Sequence, residues 1–492
     1  MEYLSRTKAL LVLILSVLLL FTLVGCGGGN EDLPVDEPVD EPPTEAVTNE
    51  PNWDAFNAGA TEFVELMNAG DFDTATTMFN EELAAVVDAD TLEEVWDGFI
   101  LAQAGAFTAV YEIENIETQG FYVVLITLEH ENMGVLLNFT FSEDGLLAGF
   151  TVDGFPTLGE VEPIEFAGFT DYPIIIGEGT DWPLAGMLSM PDDTSVPVPA
   201  VVIVAGSGAH DMDPTTLPTP IYREIAHFLA ENGIAVIRHD KRTYTHGVGL
   251  FAEMGNSMTV WEEAIEDAVL AAELLRADPR IDPDRVYIIG HSLGAILAPR
   301  IHENGGDFAG LIMMAGSPRC LLQIAAEQNA ANIADQVELG LIEAAIEAGQ
   351  IEESEVEAHK ATVQALQELA ATLLDFSAEE AKDIIVPLFN NSLYYWRDLN
   401  VNSFAHYVQN ITVPMLVMQP ERDFQITADV DFVALQELLA EHDNVIFRLY
   451  EDLDHVFTSS RATNFIEHAA SVMAGGHVDR SVLQDIVDWI LS

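Results

Sequence analysis

The fold of this chain is predicted most directly by one stretch of its sequence, Val286-Tyr287-Ile288-Ile289-Gly290-His291-Ser292-Leu293-Gly294-Ala295. An apolar run rich in β-branched residues ends at a serine between two glycines, and a helical pattern follows. This is the strand, turn and helix layout of the G-x-S-x-G motif. The two glycines leave room where the turn approaches a neighbouring strand. The motif predicts that Ser292 is a nucleophile and that the backbone N–H of Leu293 faces a developing oxyanion.

The groups that would activate Ser292 are expected in the order serine, acid, histidine, each after a strand of the sheet. Asp423 follows the predicted strand Met415–Gln419, and His455 follows the predicted strand Val445–Tyr450. A serine hydroxyl becomes a good nucleophile when a neutral imidazole takes its proton and a carboxylate fixes the tautomer of that imidazole. We therefore predict Asp423 as the acid and His455 as the base.

Neighbouring ionisable residues have other interpretations. Asp454 and Asp429 are the alternative acids, but an aspartate on a separate strand end approaches the far ring nitrogen of His455 more directly. His291, inside the motif, is expected to pack or to form hydrogen bonds and not to act as the base. The spacing of the remaining histidines does not resemble a metal site, so we expect no metal and no cofactor.

A second oxyanion donor is expected after the predicted strand Ala200–Ala205, where the sequence reads Gly206-Ser207-Gly208. The backbone amides of this turn are unobstructed, and the N–H of Ser207 is the first candidate, with Gly208 as the second. The alternative is an ordinary tight turn. The charged stretch His239–Arg242 ends the next strand and is expected to orient loops at the rim of the cleft.

Residues 1–25 have the layout of an export signal, with Arg6 and Lys8 before the apolar run Ala9–Leu20. Leu23-Val24-Gly25-Cys26 resembles a bacterial lipoprotein box, which implies cleavage before Cys26 and attachment of lipid to its thiol. The acyl chains would hold the protein at a membrane surface outside the cytoplasm. The alternative is a helical anchor with an incidental cysteine. Residues 26–52 are rich in glycine, proline and acid and predict an extended tether.

The charge of the chain limits its partners. It has 82 acidic and 18 basic residues, for a formal net charge of −64, which argues against nucleic acid and anionic headgroups as ligands. A salty habitat and a solubilising extracellular surface are the two explanations of this acidity. Cys26 and Cys320 are the two cysteines, so lipidation of Cys26 would exclude an intramolecular disulfide.

Residues 53–155 combine helical and then strand periodicity and predict a small α+β domain. With the stretches Phe63–Phe72 and Ala104–Phe107, this segment resembles a cone-shaped domain of unknown function that precedes hydrolase domains in many bacterial lipoproteins. It contains no catalytic constellation. We expect it to be a spacer, a dimerisation element or a contact for a lid.

Residues 159–492 alternate strands with helices and predict a mostly parallel sheet. An acidic insertion at about 317–410 separates two of the strands, with helices predicted at 324–340, 341–349, 353–374 and 378–389. An insertion at this point is expected to form a cap over Ser292. Tyr395 and Trp396 either line an acyl pocket or pack the cap onto the core.

These motifs together resemble the α/β-hydrolase superfamily, and within it the prolyl-oligopeptidase-like and serine-aminopeptidase-like branch. The resemblance includes the Gly-Ser-Gly turn at 206–208 with the acidic Asp211-Met212-Asp213, and Asp240-Lys241-Arg242 after the next strand. Thr243 stands where that branch has a glycine, and Pro420 replaces the glycine of its acid loop. The resemblance implies an α/β-hydrolase fold with a helical cap and a serine esterase activity.

The predicted function is therefore hydrolysis of a small-molecule carboxylic ester by a lipid-anchored, extracytoplasmic enzyme. Small or medium acyl groups are favoured because no long apolar groove is evident in the sequence. A serine peptidase is the second hypothesis. A surface-binding lipoprotein without activity is the third, and the complete set of serine, acid and histidine argues against it.

Overall fold

The computed structural model describes residues 52–84, 87–118, 121–130, 134–142, 145–154, 164–215, 217–347, 353–389 and 391–492. These residues form two compact units, one within 52–154 and the other within 164–492. The predicted signal segment, Cys26 and nearly all of the predicted tether lie outside the described residues. Among the helices of the described part, none combines the length and the apolar character needed to span a bilayer.

The first unit packs helices on a four-stranded antiparallel sheet of order β1-β2-β3-β4. The strands are β1 (Phe107–Thr118), β2 (Phe121–His130), β3 (Gly134–Phe141) and β4 (Leu147–Gly154). The helices are α1 (Trp53–Ala69), α2 (Phe72–Thr76), α3 (Glu81–Ala84), α4 (Ala89–Glu93) and α5 (Leu101–Ala104), with a π-helix (Glu94–Ile100) before α5. Helix α1 buries Phe63 against Phe139, with ring centroids 5.5 Å apart. The predicted succession of helices and antiparallel strands is confirmed for this segment.

The second unit is built on an eight-stranded sheet of order β12-β11-β10-β9-β7-β8-β6-β5. Its strands are β5 (Phe169–Ile176), β6 (Leu184–Pro191), β7 (Val198–Val204), β8 (Ala235–His239), β9 (Ile281–His291), β10 (Leu311–Met314), β11 (Met415–Pro420) and β12 (Val445–Tyr450). The six strands from β12 to β8 pair in parallel, and β6 and β5 add an antiparallel edge. The predicted mostly parallel sheet is confirmed.

Helices cover both faces of this sheet, and β7 is buried along its whole length. Between β7 and β10 they are α6 (Ile221–Glu231), α7 (Arg242–Met254), α8 (Glu266–Ala277) and α9 (Leu293–Ile301). Short 3₁₀ or π segments lie at Gly255–Ser257, Trp261–Ile265 and His302–Gly306. Because β9 is a central strand, its carboxyl end places the G-x-S-x-G turn near the middle of the sheet edge, where parallel strands present their functional loops.

A helical insertion separates β10 from β11, as predicted. It comprises α10 (Leu321–Glu338), α11 (Leu341–Glu347), α12 (Glu353–Thr372), a 3₁₀ turn (Leu373–Asp375), α13 (Ala378–Lys382), α14 (Leu393–Val401) and α15 (Phe404–Val408). The helix predicted at 378–389 was too long, because α13 ends at Lys382. Pro387 disfavours helical backbone in the residue before it, and Ile385 instead pairs with Ser392 in an isolated bridge.

The chain closes with a π-helical turn (Ala428–Phe432) followed by α16 (Val433–Leu438) after β11, then α17 (Phe465–Ala474) and α18 (Arg480–Leu491) after β12. Helix α10 of the insertion packs against α17 and is bonded to the loop after β11, where Gln328 Nε2 donates to the Gln425 carbonyl over 2.9 Å. The insertion therefore contacts the region that carries the predicted acid.

Candidate active site

The G-x-S-x-G turn has the strained geometry that its sequence predicts. Ser292 has φ 53° and ψ −114°, a region that residues with a side chain rarely adopt. A Cβ atom on Gly290 would lie 2.2 Å from the Gly294 carbonyl oxygen, and one on Gly294 would lie 2.1 Å from the Val204 carbonyl oxygen. Both glycines are thus required by close backbone approach. The turn leaves Ser292 half-buried at the start of α9.

Asp423 and His455, from loops after β11 and β12, are brought together in the structure. His455 Nδ1 donates to Asp423 Oδ2 over 2.7 Å, and both side chains are buried. The other carboxylate oxygen of Asp423 accepts the N–H groups of Gln425 and Ile426 over 2.8 and 3.0 Å. With Nδ1 donating to Asp423, Nε2 is the ring nitrogen that can accept a proton.

The charge of Asp423 is stabilised by its surroundings. Burial by itself raises the pKa of this carboxyl, but the attraction and hydrogen bond of His455, the attraction of His468 and the N–H of Ile426 outweigh it, and the net pKa is lowered. The carboxylate therefore stays ionised beside the imidazole. This is the arrangement that holds one tautomer of a base and stabilises the imidazolium formed when that base takes a proton.

The two alternative acids are placed differently. Asp454 is fully buried, but it accepts the N–H groups of Val456 and Thr458 and the hydroxyls of Thr458 and Ser471. Its carboxylate therefore holds the loop that carries His455 and does not bond to the ring. Asp429 is exposed in the π-helical turn after β11. Of the three aspartates, Asp423 is the one in contact with His455 Nδ1.

The Gly206-Ser207-Gly208 turn lies against the G-x-S-x-G turn. A Cβ atom on Gly206 would lie 3.2 Å from Ser292 Cβ. The N–H of Gly206 already donates to Tyr222 Oη over 2.9 Å, so the amides of Ser207 and Gly208 remain the candidates from this turn. Leu293 is the first residue of α9, and its N–H has no partner within the helix.

A chain of hydrogen bonds connects these loops behind Ser292. Burial lowers the pKa of His291 to about 3, so its ring is neutral near pH 7. Its Nε2–H donates to the His455 carbonyl over 2.9 Å, which leaves Nδ1 to accept the hydroxyl of Tyr222 over 3.1 Å. Tyr222 in turn accepts the Gly206 N–H. The expected hydrogen-bonding role of His291 is confirmed, and its ring links the His455 loop to the Gly206-Ser207-Gly208 turn.

The charged stretch after β8 was expected at the rim of the cleft, and this was wrong for three of its residues, since Asp240 is buried as well as Lys241 and Arg242. Lys241 and Arg242 are buried, each in an ion pair: Lys241 Nζ lies 2.6 Å from Glu263 Oε1, and Arg242 bonds to Asp267. The amphipathic helix at 261–277 supplies both carboxylates, and carboxylate partners of this kind allow cations to be buried. Lys241 also donates to the Gly206 carbonyl over 2.8 Å, so the stretch does orient a loop.

Tyr395 and Trp396 are buried on α14 within the main hydrophobic core. Tyr395 Oη donates to Glu263 Oε2 over 2.7 Å, and the Trp396 ring packs edge-on against Phe389 at 4.8 Å. These contacts match the alternative in which the two aromatics pack the insertion onto the core. Cys320, a free thiol, lies half-buried at the start of α10, and its burial raises its pKa.

The Ser292 hydroxyl has no hydrogen-bond partner among the described residues. The ring of His455 lies 4.9 Å, between centroids, from that of His291, the residue before Ser292. In the described part of the chain, no group of three or more histidine, cysteine, aspartate or glutamate side chains could hold a metal ion.

The sequence did not predict that Tyr222 and Glu263 support the site. Both lie in helical segments outside any motif, so their residue types gave no signal of these contacts.

Comparison with known proteins identifies both parts of the chain. Residues 201–468 match the alpha/beta hydrolase family, and residues 60–150 match the family described as protein of unknown function, DUF3887. Esterase EstD of Thermotoga maritima is 29% identical over 441 residues, which cover 89% of this chain and 96% of that protein.

Two solved structures that resemble this chain are Est1E and a Pyrococcus furiosus esterase. Est1E from Butyrivibrio proteoclasticus is 15% identical, with a TM-score of 0.40 over 65% of this chain and 99% of its own. The Pyrococcus furiosus esterase Pf2001 is 16% identical, with a TM-score of 0.34 over 59% of this chain and 83% of its own.

The hydrolase match covers more than half of the chain. Together with the sheet order and the serine turn, it confirms the predicted α/β-hydrolase fold, preceded by a small α+β domain. The chain belongs to the alpha/beta hydrolase family.

Proposed function

We propose that this protein is a serine esterase that hydrolyses carboxylic esters of small molecules through an acyl-enzyme. Ser292 Oγ attacks the ester carbonyl carbon while His455 Nε2 takes the hydroxyl proton, and Asp423 stabilises the resulting imidazolium. The N–H groups of Leu293 and Ser207, with Gly208 as the alternative, receive the oxyanion. His455 then protonates the leaving alcohol, and water deacylates the enzyme by the reverse roles.

The observation that carries this proposal is the buried His455 and Asp423 pair behind a strained serine turn. The Asp423 carboxylate orients the His455 ring, and His291 bonds to the backbone carbonyl of His455. The similarity to an esterase along most of the chain supports ester hydrolysis in particular. No cofactor is required for this chemistry.

The substrate class is the finer part of the proposal. We favour small or medium acyl groups, and the motifs around 206–208 and 240–242 favour the prolyl-oligopeptidase-like and serine-aminopeptidase-like branch. The test is a series of nitrophenyl esters from acetate to palmitate beside aminoacyl nitroanilides, with Ser292→Ala as the control. Short esters should be cleaved with the highest kcat/KM. Faster cleavage of the nitroanilides would instead identify a peptidase.

We also propose that the protein works outside the cytoplasm, held to a membrane by lipid on Cys26. The proposed division is a signal peptide at 1–25, a tether at 26–52, a small domain at 53–155 and a hydrolase domain at 159–492 with a cap at about 317–410. The sequence Leu23-Val24-Gly25-Cys26 supports the anchor. In a bacterial host, the full chain should appear in the membrane fraction and a Cys26→Ala chain should not incorporate a palmitate analogue. Equal incorporation by both chains would contradict the anchor.

A further inference from the structure

The Gly206-Ser207 peptide group is held on its carbonyl side by a buried cation. The Lys241 side chain is only 4% exposed, and its ammonium donates to the Gly206 carbonyl over 2.8 Å and to Glu263 Oε1 over 2.6 Å. The described part of the chain contains two other lysines, Lys360 and Lys382, and both form ion pairs nearer the surface. In the interior, the Lys241 ammonium therefore bonds to one carbonyl and one carboxylate.

The bonded carbonyl belongs to the same peptide group as the proposed oxyanion donor. In a trans peptide the C=O and N–H bonds point to opposite sides of one rigid plane, and the Gly206-Ser207 peptide is trans. A cation that fixes the carbonyl of Gly206 therefore also fixes the direction of the Ser207 N–H. A hydrogen bond to the carbonyl further polarises the amide and strengthens its N–H as a donor.

The other contacts of the turn leave this peptide as the part that Lys241 controls. Tyr222 occupies the Gly206 N–H, and His210 Nε2 bonds to the Ser207 carbonyl, which belongs to the next peptide. Each of these neighbouring peptide groups thus has its own side-chain partner. Of the three contacts, the one from Lys241 has a charged donor. It is made to the Gly206 carbonyl, on the opposite side of the peptide plane from the Ser207 N–H.

Lys241 is in turn anchored to the insertion. Glu263 is fully buried, and its second oxygen accepts the hydroxyl of Tyr395 on α14 over 2.7 Å. A continuous set of charge-assisted hydrogen bonds therefore runs from α14 through Glu263 and Lys241 to Gly206. Removing the Tyr395 hydroxyl would leave one oxygen of a buried carboxylate without a donor and loosen the position of the ammonium.

We propose that Lys241 is a positioning residue that aims and polarises the Ser207 N–H toward the oxyanion, and that Glu263 and Tyr395 tie this donor to the helical insertion. The inference rests on the proposed esterase function. As Ser292 Oγ bonds to the carbonyl carbon, the π electrons move to the carbonyl oxygen and the serine proton moves to His455. Lys241 touches neither substrate nor proton; it stabilises the oxyanion through the Ser207 peptide.

The experiment compares Lys241→Met with Lys360→Met, a change on the exposed face of α12. Active sites are counted with a fluorophosphonate, and kcat and KM are measured with nitrophenyl acetate. We expect kcat per active site to fall about 10- to 100-fold in Lys241→Met, below the about 10²- to 10³-fold loss of an oxyanion donor itself. We expect KM to change less than about threefold, since ground-state binding is not involved.

The inhibition constant of a trifluoromethyl ketone distinguishes a positioning role of Lys241 from a merely structural one. Its adduct with Ser292 is an oxyanion, so its inhibition constant should rise by the same factor as kcat falls. Lys241→Arg should recover part of both. Tyr395→Phe removes one oxygen and should lower kcat about two- to fivefold, with KM again changed less than about threefold. If Lys241→Met does not fold, Lys241→Met with Glu263→Gln leaves no unpaired charge and serves in its place.

The outcomes separate this inference from the function on which it rests. If the wild-type protein has no esterase activity or is not labelled at Ser292, the proposed function fails. If the wild type is active and labelled, but Lys241→Met matches Lys360→Met in kcat and in ketone inhibition, the positioning role of Lys241 is contradicted. If Tyr395→Phe alone is unchanged, the link to the insertion is contradicted.

Discussion

The two sides of Ser292 are supported in different ways. On the acid and base side, Asp423 and Asp454 each accept backbone N–H groups within three or four residues of themselves, so each loop is largely held by its own chain. On the side of the proposed oxyanion donors, the turn at 206–208 is held by His210 of its own loop and by two distant side chains, Tyr222 and Lys241. The acid and base side is therefore encoded mainly within its own loops, whereas the other side depends mainly on contacts between distant elements.

Replacement of Asp423 has the largest expected effect and tests the locally encoded side. Asp423→Asn keeps the shape of the side chain but removes the charge that selects the His455 tautomer. We expect kcat to fall about 10⁴-fold, as in other serine triads. Steady-state kinetics with nitrophenyl acetate measures this, and a decrease of less than tenfold would assign the acid elsewhere.

The acid sensitivity of the protein should reveal the buried His291 that joins the two sides. Its pKa is lowered from 6.5 to about 3 by burial, so between these values the unfolded chain binds a proton that the folded chain does not. The free energy of unfolding should therefore fall as pH is lowered through this window, by about 1.4 kcal/mol per pH unit for this group. Urea unfolding at several pH values measures the slope.

The control for this slope is a pair of histidine variants. His291→Gln removes the titrating group and should make the dependence shallower by about one proton. The same change at His406, which is exposed on α15, should leave the slope as it is in the wild type. Equal slopes in all three proteins would show that His291 does not remain neutral in the folded state.

Replacement of Asp454 should separate stability from catalysis. Asp454→Asn turns one acceptor of the His455 loop into a donor facing hydroxyl donors. We expect it to cost about 1–3 kcal/mol of unfolding free energy, whereas kcat per labelled active site should stay within about threefold. Thermal unfolding and kinetics on the same sample test both parts. A loss of kcat as large as that of Asp423→Asn would make Asp454 a part of the catalytic chemistry.

Replacement of Tyr222 tests the long-range support of the turn at 206–208. Tyr222→Phe removes the hydroxyl between the Gly206 N–H and His291 Nδ1. We expect kcat to fall about tenfold, less than the loss of an oxyanion donor, with KM nearly unchanged. Tyr407→Phe, whose hydroxyl makes only a 3.5 Å contact with Asn402, is the matched control. Equal kinetics in the two variants would mean that the turn holds its shape without Tyr222.

The same contrast explains how far the sequence could predict the site. The contact between Asp423 and His455 was predictable because strand periodicity placed each at a strand end and the order of the residues matched a known pattern. The glycines at 290 and 294 were predictable because their requirement arises within one turn and its adjacent strand. The sheet followed from the alternation of strands and helices.

The partners of the turn at 206–208 could not be predicted in this way. Tyr222 and Glu263 lie in helical segments where their residue types carry no positional signal, and their contacts with Gly206 and Lys241 arise only when distant elements pack. Lys241 carried a weak signal, as a rare lysine directly after a strand, and it was still expected at the rim. Burial of its charge depends on Glu263, which is contributed by a separate segment.

The proposal that Ser292 is the nucleophile is tested most directly by the site of fluorophosphonate labelling. The reagent should phosphonylate one residue, and peptide mass spectrometry should find the adduct on the peptide that contains Ser292. Ser292→Ala should abolish both the label and ester hydrolysis, while Asp454→Asn should keep both. Labelling at another serine, or full ester hydrolysis by Ser292→Ala, would contradict the assignment of this turn as the nucleophile.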